Sequence, residues 1–326
     1  MIRSRVTGTG AYLPDRRLTN QELERMVETS DRWIVERTGI RERRIAAPEE
    51  ATSDLAAAAG RQALTASGVA ASSVELIIVA TATPDMLFPS TACLVQERLG
   101  AKQAFAFDLS AACTGFLYAL AVADQYIRTG TYRTVLVIGA EVLSRMIDWT
   151  DRTTCILFGD GAGAVVVQAD RGARGVLSTH LHSDGSLWDL IHIPGGGSRR
   201  PPSAETLADR MNFVKMKGSE TFRVAVRALE EVAREALAAN QLSPEQVSWI
   251  IPHQANLRIL QAVAERLKVP ADKVVINVDR YGNTSAASIP IALDEVVRAG
   301  RVRSDDLLLL EAFGAGLTWG AAVVRW

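Results

Sequence analysis

Largely apolar runs of five or six residues alternate along this chain with longer stretches of helical periodicity. Val74–Ile78, Ala104–Leu109, Thr134–Gly139 and Gly163–Gln168 are such runs in the first half; Val247–Ile251, Leu307–Glu311 and Gly320–Arg325 follow in the second. Strands that are apolar at most positions, rather than at every other one, predict sheets covered on both faces by helices. The helices between them close on glycine, as in Arg128-Thr129-Gly130 and Arg298-Ala299-Gly300, where a residue free to adopt positive φ is expected after the last turn.

The order of elements occurs twice, the second copy about 171 residues after the first. Ala63-Leu64, Val69 and Val74–Ile78 read as helix end, turn and strand; Ala236-Leu237, Leu242 and Val247–Ile251 repeat them. The pattern predicts an α/β protein of two similar halves, residues 1–172 and 173–326, with their sheets packed around shared central helices. The stretch from about 177 to 217 has no evident counterpart and is expected to be an inserted, mobile cover. Its histidines, His180, His182 and His192, read as solvated loop residues.

Composition narrows the classes. A chain of 326 residues, 48% apolar and with a net charge of −1, fits a globular protein with a large core and points away from nucleic acid as a partner. Cys93, Cys113 and Cys155 are widely spaced, forming neither a metal-ligand pattern nor a disulfide framework, so a reducing, cytoplasmic setting is expected. Neither an apolar leader nor a run of about eighteen apolar residues suggests export or a membrane span. Gly159-Asp160-Gly161-Ala162-Gly163 precedes a strand rather than a helix, and so reads as a tight turn and not a phosphate loop.

The candidate chemistry centres on Cys113. It follows the apolar run Ala104–Leu109 and opens the helical stretch Thr114–Arg128, where free N–H groups and the positive dipole end favour a thiolate. Taken alone, Cys113 reads more readily as a small core cysteine. In the second half, Gly282-Asn283-Thr284-Ser285 occupies the matching junction, so Asn283 is expected opposite Cys113. His253 ends the neighbouring strand in Pro252-His253-Gln254-Ala255-Asn256, and open α/β sheets hold ligands beyond such strand ends. Three groups converging in this way point to nucleophilic catalysis. Cys93 and Cys155 are expected in the core.

Ala111–Phe116, Pro252–Asn256 and Gly282–Ser288 resemble the active-site motifs of the β-ketoacyl-acyl-carrier-protein synthase III family, within the thiolase superfamily. The resemblance runs from Gly8–Pro14 to Glu311–Gly320. It implies a five-layered αβαβα thiolase-like fold, a homodimer, and decarboxylative Claisen condensation of an acyl-CoA primer such as acetyl-CoA with malonyl-acyl-carrier protein. Cys113 would carry the acyl group, while His253 and Asn283 would hold the malonyl carbonyl. The backbone N–H groups of Cys113 and Ala315 would form the oxyanion hole. Thiolases carry a second cysteine in the C-terminal glycine loop; here that loop is Phe313-Gly314-Ala315-Gly316, which favours decarboxylation as the source of the carbanion.

The resemblance also implies binding residues. Trp33, Arg37 and Arg152 match the family's coenzyme A contacts. Gln254, Ala255, Asn256, Leu257 and Arg258 match its carrier-protein docking segment, with Arg266, Lys268, Lys215 and Lys217 as an extension or simply a solvated charged face. Phe88 matches the residue that reaches the partner subunit's acyl pocket. No cofactor or metal is implied beyond the coenzyme A thioester. Two other readings share the sequence: a starter-unit condensing enzyme or acyltransferase of polyketide or other specialised metabolism, and a non-catalytic dimer partner.

Overall fold

A computed structural model describes residues 2–326. The first half builds a five-stranded sheet from β1 (Arg3–Tyr12), β2 (Leu76–Ala80), β3 (Phe105–Leu109), β4 (Thr134–Glu141) and β5 (Gly161–Asp170), in the order β1-β5-β4-β2-β3. The second half uses β6 (Gly175–Ser183), β7 (Trp249–Pro252), β8 (Leu307–Gly314) and β9 (Thr318–Arg325), in the order β7-β8-β9-β6. In each sheet one parallel pair (β2 with β4, β7 with β8) is followed by two antiparallel pairings. Only β3 lacks a strand partner in the copy; a single bridge between Ile250 and Val274 stands there.

The strand β6 corrects the expectation for residues 177–217. Leu177–Ser183 belongs to the sheet as the counterpart of β1, because its residues pair with β9 over the whole strand. His180 and His182 project from it to a shared carboxylate, Glu235, at 3.0 and 2.6 Å. The rest of the stretch meets the body of the protein at two points. Arg210 makes a bidentate ion pair with the buried Asp148, and the Val214 N–H donates to Met146 O at 2.9 Å.

Strand residues alternate between two cores. Leu76 and Ile78 face the central layer with Leu308 and Leu310; Ile77 and Val79 face one outer layer, Leu307 and Leu309 the other. The longer helices are α1 (Asp31–Thr38), which lies in a separate small core, and α2 (Thr52–Ser67), α3 (Thr91–Leu99), α4 (Gly115–Arg128), α5 (Gly218–Ala239), α6 (Leu257–Leu267) and α7 (Ser288–Arg298), which cover the sheets. Helices α2 and α3 lie outside the first sheet, α5 and α6 outside the second, and α4 and α7 between the two. This is the five-layered αβαβα fold. Each Leu, Ile or Val so buried contributes about 1.5–3 kcal/mol, which is why both sheets need apolar residues on both faces.

Cys155 lies in the core, as expected. Cys93 does not; it sits on the outward face of α3, beside the buried Ala92 and Val95. Asp160, within the glycine turn, is buried and accepts from Ala46 N and from Ser144 N and Oγ. No helix among the described residues is long and apolar enough to cross a membrane.

Candidate active site

Cys113 lies in a 3-10 turn, Ala112–Thr114, between β3 and α4, not in the first turn of the α-helix itself. A matching turn, Ser285–Ala287, precedes α7, and the two turns pack against each other. Ala112 and Ser285 are equivalent and share a left-handed backbone, with φ of +44° and +48°. The true counterpart of Cys113 is therefore Ala286. Asn283 corresponds instead to Ser110, one turn earlier than the sequence pairing suggested.

The nucleophile is hemmed in. A Cβ on Gly314, at the end of β8, would stand 2.7 Å from the Cys113 nitrogen, so only glycine fits there. The Cys113 N–H precedes the first 3-10 bond, Thr114 N–H to Ala111 O, and is left over for a ligand. Ala315 follows Gly314 and is partly exposed. The Cys113 residue is reached from outside, yet its thiol is packed among protein atoms, and burial pushes it up to about 12. The helix end alone therefore does not leave a free thiolate, contrary to the expectation from its position.

His253 follows β7 and is 5% exposed. Its N–H donates to Glu311 O at 2.8 Å, and its Nδ1 lies 2.7 Å from Ser288 Oγ. Ser288 Oγ also accepts from the Gln254 N–H at 3.3 Å, so its own proton is directed to Nδ1. That arrangement puts the imidazole proton on Nε2. Burial holds the ring well below its usual range, at about 3, and so neutral.

Asn283 is anchored at both ends of its peptide. Its N–H donates to Leu157 O at 2.8 Å, and its carbonyl accepts from Gly159 N at 3.0 Å. Its Oδ1 accepts the Ser285 N–H at 2.8 Å, which leaves the Nδ2 hydrogens as the outward-facing donors. The segment 283–288 thus ties Asn283 to Ser285 and Ser288 to His253, and its turn packs against the turn that carries Cys113. Ser288 belongs to the motif already noted, but no periodicity marks it as the partner of His253.

A nucleophilic cysteine and two fixed neutral donors at strand ends are the parts of a condensing site, and comparison with known proteins agrees. The 3-oxoacyl-(acyl-carrier-protein) synthase III family matches residues 107–185, and its C-terminal domain matches residues 237–326. The β-ketoacyl-acyl-carrier-protein synthase III of Rhodospirillum centenum is 58% identical over 329 aligned residues, spanning all of this chain and 99% of that protein. This chain belongs to the synthase III family. It is a condensing enzyme of the acyltransferase class. The crystal structure of the Aquifex aeolicus synthase III superposes with a TM-score of 0.93 at 51% identity, covering 99% of this chain and 100% of the other. A priming β-ketosynthase from the R1128 polyketide pathway superposes with a TM-score of 0.92 at 36% identity, covering 99% and 96%.

The residues that the synthase III resemblance assigned to coenzyme A come together around one ring. The Arg37 and Arg152 guanidiniums lie 4.6 and 5.2 Å from the centroid of Trp33, itself partly buried on α1. Such stacking leaves donors free for phosphate while fixing both cations.

The proposed docking segment needs correction at Gln254. This residue is 1% exposed, and its amide donates to Pro252 O and Val275 O while accepting from Asn277 N and Val278 N. It holds the end of β7 and faces no partner, because all four of its bonds run to buried backbone. Asn256 caps α6 through the Arg258 N–H and donates to Arg37 O at 3.1 Å, joining the docking segment to α1. Ala255 and Leu257 are partly buried. Arg258 is exposed, 5.6 Å from the Phe222 ring. Of the wider basic set, Lys217 is paired with Asp189 and Arg266 with Glu230. Phe88 is 84% exposed, next to the equally exposed Leu87.

Proposed function

We propose that this synthase III initiates fatty-acid synthesis by joining an acyl-CoA primer, acetyl-CoA first among them, to malonyl-acyl-carrier protein through an acyl thioester on Cys113. The Cys113 sulfur attacks the thioester carbonyl, and the oxyanion takes hydrogen bonds from the N–H groups of Cys113 and Ala315. Losing one such donor costs about 3 kcal/mol of barrier lowering. Collapse breaks the bond to coenzyme A.

Malonyl-acyl-carrier protein then loses carbon dioxide, and the electron pair moves onto its thioester oxygen. His253 Nε2–H and the Asn283 Nδ2–H stabilise that enolate. The enolate carbon attacks the acyl carbonyl, the Cys113–acyl bond breaks, and a β-ketoacyl-acyl-carrier protein leaves. Nothing in these steps needs a cofactor beyond the coenzyme A thioester.

The observation that carries this reading is the polarity of the two donors. His253 is neutral with Nδ1 taken by Ser288, and Asn283 has its Oδ1 taken by Ser285, so both present N–H toward an oxygen that becomes negative. Binding follows from the same reading: Trp33, Arg37 and Arg152 hold coenzyme A, and Arg258 meets the acidic carrier protein. The exposed Met86, Leu87 and Phe88 pack against a second copy of the chain in a cytoplasmic homodimer.

The test is mass spectrometry with a panel of straight and branched acyl-CoA primers. Acetyl-CoA should add one acetyl group to Cys113 and none to Cys113→Ala, and malonyl-acyl-carrier protein should then release carbon dioxide and a β-ketoacyl product. Acylation by longer primers with none by acetyl-CoA would favour a starter role in specialised metabolism, a reading kept by the likeness to the priming ketosynthase. A single mass in light scattering corresponding to one chain would sink the homodimer.

A further inference from the structure

Arg43 is the largest side chain that the protein buries completely. Among the described residues no carboxylate pairs with it, and its donors go to uncharged oxygens. Nη1 donates to Leu18 O at 3.1 Å and to Asn20 Oδ1 at 2.9 Å, and Nη2 donates to Ile156 O at 2.7 Å. Nε is buried without a partner. Burial lowers the guanidinium to about 10, which leaves it charged at neutral pH. A cation buried without a counter-ion costs stability that an apolar residue would not. What it holds must therefore be sought among the segments around it.

Those segments are the ones that seat Asn283. Arg43 lies on the short strand Glu42–Ile45, antiparallel to Arg16–Thr19, with Leu18 as its register partner. The same strand is fastened on either side of the active-site asparagine. The Arg41 N–H donates to Asp279 O at 2.9 Å, and the Asp160 N–H donates to Arg44 O at 2.8 Å. Between these bonds Arg43 meets two glycines. A Cβ on Gly282 would stand 3.1 Å from Arg43 Cβ, and one on Gly159 would stand 3.0 Å from it.

Both glycines adjoin Asn283. Gly282 precedes it, and the Gly159 N–H donates to its carbonyl. The Asn283 N–H is held by Leu157 O, and Leu157 follows Ile156, whose carbonyl takes Nη2 of Arg43. Phe158 and Asn283 form a parallel bridge between the two segments. Asn283 Oδ1 is tied to the Ser285 N–H within the same short stretch, so the direction of its amide follows the backbone. We infer that Arg43 is a positioning residue for condensation: it fixes the segment Ile156–Gly159 against Gly282, and so aims the Asn283 Nδ2–H groups at the enolate oxygen.

The nucleophile is held by other means. Cys113 is enclosed by Gly314 and by the turn Ser285–Ala287, and no bond of Arg43 runs to either. The coenzyme A residues lie nearer. Asn20 is buried, and its Nδ2 donates at 2.8 Å both to Asp31 Oδ1, at the start of α1, and to Ile40 O. Yet Arg37 and Arg152 stack on Trp33, and Arg152 Nη1 donates to Glu28 O at 3.0 Å, so that group has a hold of its own. A role in holding coenzyme A would show in KM for acyl-CoA, whereas a role in aiming Asn283 shows in the loss of carbon dioxide.

The inference rests on the reading of Asn283 as a donor to the enolate, and carbon dioxide release from malonyl-acyl-carrier protein separates the two. If Asn283→Ala releases carbon dioxide at the wild-type rate, that reading fails and the role of Arg43 falls with it. If the release is slowed, Arg43→Lys becomes the test, since it keeps the charge but replaces the planar fork with a single ammonium head. Its carbon dioxide release should fall about 10–10²-fold, the cost of a misplacement of about 1 Å. Acylation of Cys113 and KM for acetyl-CoA should stay at their wild-type values. Arg43→Gln, neutral and shorter, should lose more, so that lysine restores part of the rate.

In the Asn283→Ala background, Arg43→Lys should slow carbon dioxide release no further, because the group that it aims is gone. Losses that multiply in the double variant, or equal losses in acylation and carbon dioxide release, make Arg43 a structural residue only and overturn the inference. A raised KM for acetyl-CoA with carbon dioxide release intact overturns it as well. Asn20→Ser serves where the arginine variants do not fold. It withdraws one acceptor from Nη1 and leaves the bond to Ile156 O in place. At saturating acetyl-CoA it should show the same selective loss at smaller size, and an unselective loss there also overturns the inference.

Discussion

The Nδ1 of His253 stands 2.7 Å from the Ser288 hydroxyl oxygen, on the first turn of the central helix that follows Asn283. That bond assigns the histidine's proton to the far side of the ring, and so decides whether the residue can donate to an enolate.

Ser288→Ala removes this control. The imidazole would then populate both neutral tautomers, and the condensation rate should fall by about tenfold, the worth of ~1.4 kcal/mol for one hydrogen bond. Acylation of Cys113 by acetyl-CoA should be unaffected. Parallel assays of acylation and carbon dioxide release check this; equal losses in both steps would count against a role through His253.

Asn283→Asp is nearly isosteric and keeps the acceptor for the Ser285 N–H. It replaces the outward donor with an oxygen that repels the enolate. Carbon dioxide release from malonyl-acyl-carrier protein should drop about 10²–10³-fold, as for loss of an oxyanion donor. His253→Ala should do the same, with acylation depressed less in each case.

Trp33→Ala should raise KM for acyl-CoA with little change in kcat, because the ring holds Arg37 and Arg152 in place away from the reacting carbon. A cation–π contact of about 0.5–2 kcal/mol per arginine corresponds to roughly a tenfold change. Steady-state kinetics with acetyl-CoA tests it, and a fall in kcat at unchanged KM would contradict it.

Glu311 is 1% exposed, and its Oε2 has no hydrogen-bond partner. Burial raises its carboxyl from 4.5 to about 8. The folded state therefore binds this proton more tightly than the unfolded chain, and that contribution to stability is complete below pH 4.5 and lost as pH rises to about 8. Each unit of offset corresponds to ~1.4 kcal/mol. Glu311→Gln removes the dependence, so its melting temperature relative to wild type should rise steadily between pH 5 and 8. A constant difference across that range would show that Glu311 does not titrate on unfolding.

The duplication, the two-faced sheets and the candidates Cys113, His253 and Asn283 could be read along the chain, because apolar runs and glycine caps are local signals. The register between the halves could not. Asn283 seemed to match Cys113 until the backbone at Ala112 and Ser285 showed the equivalence three residues away, since short turns of similar composition align in more than one way. Leu177–Ser183 looked like an insertion because it had no evident counterpart in the first half and is interrupted by polar residues; it is the edge strand of its sheet, paired with β9 alone. Gln254 looked like a surface residue by type, whereas four backbone bonds hold it inside.

By itself, then, the sequence determined the architecture, the family and the identity of the nucleophile, all of which rest on the kind and order of residues. Only the tertiary structure decided the protonation of the site. Proton positions depend on which groups lie within hydrogen-bond reach and on how much water is excluded, and those contacts join residues apart in the chain, as Ser288 is joined to His253 and Gln254 to Val275.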